Sequence, residues 1–299
     1  MEMLAEALPR IKDGGYPFVI HVGDYKGGGQ ECTGFHDARF QTLMDTLQPL
    51  PVFYTPGDNE WTDCDRFKHP QTGEPYSDLK RLDRVRELFF ADPPTSAMGY
   101  KRQAGFPENA SWTYAGVRFL TLHVTGTNNG RDWVTGDPLE DALAAVTARD
   151  AANLAWLAEG FTAAKTEGAR AVVLAMQADM TDIGSKPEDL MCADVAANSD
   201  HPCDAFADLR AAIRDAAKGF AGPVLLIHGD TAPFTLGQSF AGEEAPSLWR
   251  LNAAGDSGVG RTGIPYGVRD VTVVTLTPGA HPPFAAIGLV SGKAPKAGR

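Results

Sequence analysis

The sequence predicts an α/β protein. Strand-like apolar runs and amphipathic helical segments alternate along most of the chain, and strands then dominate its end. Three of the apolar runs finish in a Gly-Asp turn: His21-Val22-Gly23-Asp24, Thr55-Pro56-Gly57-Asp58-Asn59-Glu60 and His228-Gly229-Asp230-Thr231. A strand that runs out into Gly-Asp sets a carboxylate at the carboxyl edge of a sheet, where open α/β sheets bind ligands. Three carboxylates on one edge make a hard, oxygen-rich site suited to a divalent metal.

The elements follow in order. Leu4 to Ile11 reads as a short helix closed by Gly14-Gly15, and Pro17 to Val22 as the first strand. Gly27-Gly28-Gly29 makes a loop before a helix from Phe35 to Leu47. Pro51 to Thr55 is the second strand, and a long loop then passes Trp61 and Gly73. Leu79 to Phe90 is a charged helix with Leu82, Val85, Leu88 and Phe89 on one face. Ser111 to Tyr114 and Val117 to Val124 read as a hairpin about Ala115-Gly116. Two helices are expected over Pro138 to Ala148 and Arg149 to Thr166. Ala171 to Met176 is a buried strand, Asp204 to Lys218 a helix, and Pro223 to Ile227 another buried strand. Asp270 to Leu276 and Phe284 to Val290 are late strands, antiparallel if they pair. The Gly-rich stretch from Gly255 to Gly267 reads as a loop. No internal repeat or low-complexity linker breaks the 299 residues, so one domain over 1–299 is expected.

Bulk properties narrow the partners. The formal net charge is −11 and the pI about 5.1, which argues against binding a nucleic-acid phosphate backbone. A small anionic substrate would need local positive charge, most simply from metal ions. No apolar run approaches the length of a membrane helix. Met1-Glu2-Met3-Leu4 has neither a basic stretch nor a long apolar one, so no signal peptide is expected. Of the four cysteines, none lies in a C-x-x-C. Cys32 follows the first Gly-Asp loop and Cys64 the second, while Cys192 and Cys203 bracket a short loop. Two disulfides in an extracytoplasmic setting fit this spacing; four unpaired thiols are the alternative, and zinc ligation fits poorly.

The residues also point to a family. The three Gly-Asp segments, with the second extended through Trp61-Thr62-Asp63-Cys64, resemble calcineurin-like metallophosphoesterases. More narrowly, they resemble a bacterial subgroup carrying Gly-Asp-Asn-Glu-Trp-Thr-Asp-Cys where most of the superfamily has Gly-Asn-His-Asp/Glu. Val124 to Gly130, Ala151 to Leu157 and Gln177-Ala178-Asp179 look like the same subgroup. The resemblance runs from about Phe18 to Phe234, and the run from Pro56 is its specific part.

It implies a four-layer α/β/β/α metallophosphoesterase sandwich with one or two divalent ions (Mn, Fe, Zn or Mg) at the carboxyl edges of the sheets. A small-molecule phosphoester would be hydrolysed there by a metal-activated water. On this reading the chain starts one strand late, without the usual first strand. Asp24 takes the bridging metal position and a catalytic role, Asp58 the second-metal position, Gln177 a carbonyl ligand position, and Asp230 a metal-proximal one. Asn59 stands where the catalytic His is usual; an amide cannot serve as a general acid, but it can orient a phosphate. Ala232 replaces the final His ligand, and Asp65 stands where the subgroup has His.

Glu60, Asp179 and His228 are expected behind the ligands, with a core role the alternative for His228. His21 and His123 read as core histidines. Asn128, Asn129 and Arg131 lie in a post-strand loop and are candidate substrate contacts. Trp61 walls the pocket or simply packs. Two functions stay open: a phosphoric ester hydrolase, weakened by the substitutions, or an inactive member kept as a binding or structural module.

Overall fold

A run of five wholly buried residues, Ala171–Ala175 (β6), lies near the middle of an eight-stranded mixed sheet. The computed structural model describes residues 2–184, 186, 188, 190–192, 203–259 and 263–298. β6 is flanked in parallel by Val117–Thr121 (β5) and Val224–His228 (β7). Parallel strands buried on both faces read as continuous apolar runs, and AVVLA is one. Leu248–Asn252 (β9) continues the parallel core beyond β7. The margins are Phe106–Tyr114 (β4) and Lys101–Gln103 (β3) on one side. On the other side stand Thr235–Gly237 (β8) and Lys296–Ala297 (β14).

Val19–His21 (β1) and Val52–Tyr54 (β2) form a separate parallel pair, connected through the helix Gly34–Leu47 (α2). Thr272–Leu276 (β12) and Phe284–Gly288 (β13) form an antiparallel pair, as their neighbouring positions predicted.

Both faces of the large sheet are covered. Leu139–Thr166 (α4) and Ala207–Lys218 (α5) bury Trp156, Leu157, Phe161 and Ile213 against Leu120, Leu174 and Leu226 on one face. On the other, Phe284 packs with Val173, Leu225 and Leu251. Phe53 of β2 stacks on Trp112 of β4 with ring centroids 3.7 Å apart, so the β1–β2 pair covers this same face. The far side of that pair meets helices. Ala7 and Ile11 of Glu2–Asp13 (α1) pack with Val52, and Phe40 of α2 packs with Tyr54 and with Val85 and Phe89 of Asp78–Phe89 (α3). Ser77 caps α3 by accepting from Lys80 N at 3.1 Å.

Several expected boundaries shift. The two helices expected over 138–166 are one helix of 28 residues. Its buried residues, Val146, Arg149, Asn153, Trp156, Gly160 and Ala164, recur at helical spacing, so Arg149 continues the stripe instead of breaking it. β4 begins at Phe106, five residues before the expected start, and β5 ends at Thr121. The hairpin between them turns at Ala115 and Gly116, with φ of 49° and 75°, the pattern of a two-residue primed turn. The expected Gly-rich loop contains a short hairpin, Ser257–Val259 (β10) with Pro265–Gly267 (β11).

Two disulfides join Cys32 to Cys64 and Cys192 to Cys203, with Cα separations of 5.6 and 4.8 Å. Residues 193–202 between the second pair lie outside the described residues. These bonds are suggestive of an oxidising, extracytoplasmic environment. The first clamps the Gly27–Gly29 loop to the segment that follows Asp58. Reduction should cost about 2–4 kcal/mol for each bond. Urea denaturation with and without a thiol reductant measures it, and an unchanged midpoint would contradict a stabilising role. Among the described residues, no helix is long and apolar enough to cross a membrane.

Candidate metal centre

Five parallel-strand ends converge on one edge. β1 leads to Asp24, β2 to Asp58, β5 to Gly126, β6 to Gln177 and Asp179, and β7 to Asp230. Asp24, Asp58 and Asp230 each present a carboxylate oxygen, and these atoms all lie within 4.8 Å of one another.

Glycine makes that approach possible. A Cβ at Gly57 would sit 2.2 Å from Asp24 Oδ1, and one at Gly126 would sit 2.4 Å from Asp58 Oδ2. Asp24 and Asp230 themselves hold φ of 60° and 70°. Left-handed backbone at non-glycine residues is sparsely populated and gathers at functional sites.

Each carboxylate is held from behind. Gln177 Nε2 donates to Asp24 Oδ2 at 3.0 Å and to Asp58 Oδ1 at 2.9 Å. Its Oε1 accepts from Gly126 N at 2.6 Å, which fixes which way the amide points. The structure therefore turns the Gln177 nitrogen to the cluster, where a carbonyl ligand was expected. Thr127 Oγ1 lies 3.0 Å from Asp58 Oδ2 and 2.8 Å from Asp63 Oδ1. Asp63 pairs with Arg66 at 2.6 Å. The backbone N of Asp179 donates to Asp230 Oδ2 at 3.4 Å.

Glu60 is the anchor of the turn. It is completely buried, and its carboxylate accepts from Asp24 N, Gly57 N and the Tyr54 hydroxyl at 2.7–3.1 Å. It thereby ties the first Gly-Asp turn to the second. Asp179 lies behind Asp230, its carboxylate bonded by Arg250, Thr181 and Thr231. The backbone N of Asn59 donates to Asp24 Oδ1 at 3.3 Å.

The electrostatics follow from crowding. Burial, and then the charges of Asp58, Glu60 and Asp230, raise the Asp24 carboxyl well above the usual range, against the Gln177 hydrogen bond. Burial and Asp58 push Asp230 up to about 8. Burial and Asp58 push Asp63 up to about 6, with Arg66 opposing. Burial raises Glu60 too, resisted by its Gly57 and Tyr54 donors. Burial also works to raise Asp179, but His228, Thr181 and Arg250 hold it below the ordinary value. Among the described residues, no Lys or Arg forms an ion pair with Asp24, Asp58 or Asp230. Lys26 is buried nearby, yet its Nζ donates to the carbonyls of Gln30 and Gly27.

Other candidate residues are committed elsewhere. Asn128 is buried and binds Cys203 O, Asp132 and Ala205 N, at 3.1 Å each. Asn129 is buried too and donates to Asp150 at 2.6 Å, while Arg131 pairs with Asp150 at 3.4 Å. The three therefore stabilise the loop that carries Gly126 and Thr127. His228 is buried, with Nδ1 2.8 Å from Gly229 O; burial lowers its pKa, against the Asp179 charge. His123 packs on Trp61 in the core, and burial holds it well below the ordinary pKa. His21 packs on Phe40 and is lowered to about 4 by burial. Asp65 is buried and accepts from Thr135 N at 2.7 Å.

Sequence reasoning did not single out Thr127, Asp63 or Arg66 as site residues. The quoted segments contain Asp63 and Thr127, and the available signal was a polar side chain directly after Gly126 and an acid in the run from Pro56. Compared with known proteins, the chain matches no family model, and no curated protein matches it significantly.

Proposed function

We propose that this chain is a metal-dependent phosphoric ester hydrolase of the calcineurin-like metallophosphoesterase type. The observation that carries the reading is the convergence of Asp24, Asp58 and Asp230 from three strand ends. The motif resemblance and the helix-covered packing of two sheets support it.

The donor set fits a divalent ion. Three carboxylate oxygens form a hard site, and among the described residues no Lys or Arg pairs with them. Burial, and after it the neighbouring carboxylates, raise the carboxyls of Asp24 and Asp230, and a cation would relieve the repulsive part. An all-oxygen set favours magnesium or manganese over zinc. Asp24, Asp58 and Asp230 would hold the ion. Such an ion supplies Lewis acidity toward a phosphoryl oxygen and lowers the pKa of water.

The chain's own residues do the rest. Glu60 and Gln177 fix the carboxylate geometry, and Arg66 keeps its guanidinium beside the site, half-exposed. Asn59 offers an amide to orient a phosphate but has no proton to give a leaving group. Hydrolysis should therefore favour esters whose leaving groups depart unprotonated.

A second reading has its own observation. Gln177 cross-links Asp24 and Asp58 as a cation would, and Ala232 carries no donor atom, which suits an inactive binding module. One assay separates them. Purified protein is stripped with chelator, then given manganese and p-nitrophenyl or alkyl phosphate mono- and diesters. Manganese-dependent turnover, at least about 10²-fold faster on the nitrophenyl esters, is expected. Tight manganese binding without turnover would favour the binding module, and turnover unaffected by chelation would overturn the metal reading.

A further inference from the structure

A cleft of about 360 Å³ opens beside the carboxylate cluster, lined by Asp65, Arg66, Trp133 and Thr135. Its volume falls in the range of small-ligand sites. Arg66 belongs to both places. It pairs with Asp63 at 2.6 Å, and its Nη2 lies 3.5 Å from Thr127 Oγ1, the hydroxyl bonded to Asp58. One hydroxyl therefore separates a wall of the cleft from a carboxylate of the cluster.

Trp133 is the unusual wall. Its side chain is 64% exposed, and its φ is 62°, a costly backbone for a bulky residue. The loop is fastened on both sides of it. Asp132 is held by Asn128 at 3.1 Å and by Lys186 at 2.6 Å. Thr135 is held to the buried Asp65 through both its backbone N and its hydroxyl. A strained, anchored loop thus presents an indole to solvent. An exposed flat ring next to a guanidinium suits a flat ring joined to an anion.

We propose that this cleft is the leaving-group subsite and that it takes an aryl or heteroaryl phosphoester, with the ring on Trp133 and the phosphoryl group toward Arg66. The proposal rests on the hydrolase reading above and adds the substrate class to it. It also agrees with Asn59. An aryl oxide departs without an acid more readily than an alkoxide, so a site with an amide at that position would be matched to the ring its cleft recognises.

The test is calorimetric titration of manganese-loaded protein with phenylphosphonate and methylphosphonate, which share the anion and differ in the ring. Wild type should bind phenylphosphonate about 5-fold or more tightly. Trp133→Ala should erase that preference while leaving methylphosphonate and manganese affinity unchanged, and Trp133→Phe should keep most of it. Equal binding of the two phosphonates by wild type, or a preference that survives in Trp133→Ala, would overturn the subsite and leave the metal reading standing. Absence of manganese binding in wild type would overturn the metal reading, and the subsite with it.

Discussion

Asp24→Asn is expected to weaken manganese binding by about 10²-fold or more and to remove metal-dependent hydrolysis, while making the metal-free protein more stable. The two effects have one cause. Asp24 sits within ligand distance of Asp58 and Asp230, and Asn keeps its shape and tolerates the left-handed backbone at φ 60°. What disappears is one charge from a crowded, partly buried set.

The pH dependence gives the sign. The folded-state carboxyls of Asp24 and Asp230 are raised, Asp230 to about 8. Their stabilising contribution is complete below the unfolded pKa, near 4, and is lost as pH rises through the folded value. Chelated wild type should therefore lose stability between about pH 4 and 8. Asp24→Asn should lose less, and stand about 1 kcal/mol or more above wild type at pH 8. Saturating manganese should restore the wild type and stabilise the variant much less. Thermal unfolding across pH, with chelator or manganese, reads all of these. A variant less stable than chelated wild type at pH 8 would contradict the account.

Glu60→Ala should have the largest cost to the fold. The removed carboxylate leaves Asp24 N, Gly57 N and the Tyr54 hydroxyl without their acceptor in a fully buried place. Each orphaned donor costs about 1–3 kcal/mol, so a loss of about 3–5 kcal/mol is expected. Manganese affinity should fall too, because Asp24 N anchors the turn that aims its carboxylate. Glu60→Gln should be intermediate: one oxygen still accepts, but the new NH2 faces donors. Urea unfolding measures the cost, and a variant within about 0.5 kcal/mol of wild type would show that Glu60 is not the anchor.

What the sequence shows and hides follows from the physics of each segment. β6 and β7 are legible because doubly buried strands must be apolar throughout. β9 was not, although it lies inside the sheet. Its Arg250 interrupts the apolar run, and only the fold shows that this side chain reaches Asp179. The carboxylate triad was legible because Gly-Asp after a strand fixes where the acid stands. Glu60 and Asp179 were legible as residues behind it, but the turn after β5 was not. Thr127, Asn128 and Asn129 form a left-handed turn with φ of 53–57°, which no local propensity signals in three successive non-glycine residues. In the sequence, polar residues in a loop look like substrate contacts. In the structure, Asn128 and Asn129 spend their hydrogen bonds holding that turn. Gln177 was legible as a site residue, but its direction depends on Gly126, which is 51 residues away.

The central claim is that Asp24, Asp58 and Asp230 hold a divalent ion. The most direct measurement is an anomalous difference map from a crystal of the full chain grown with manganese. The account predicts a peak bounded by those three carboxylates, at about 2.0–2.6 Å from their oxygens, with the Gln177 amide displaced from at least one of them. Well-ordered carboxylates still bridged by Gln177, with no anomalous peak between them, would contradict it.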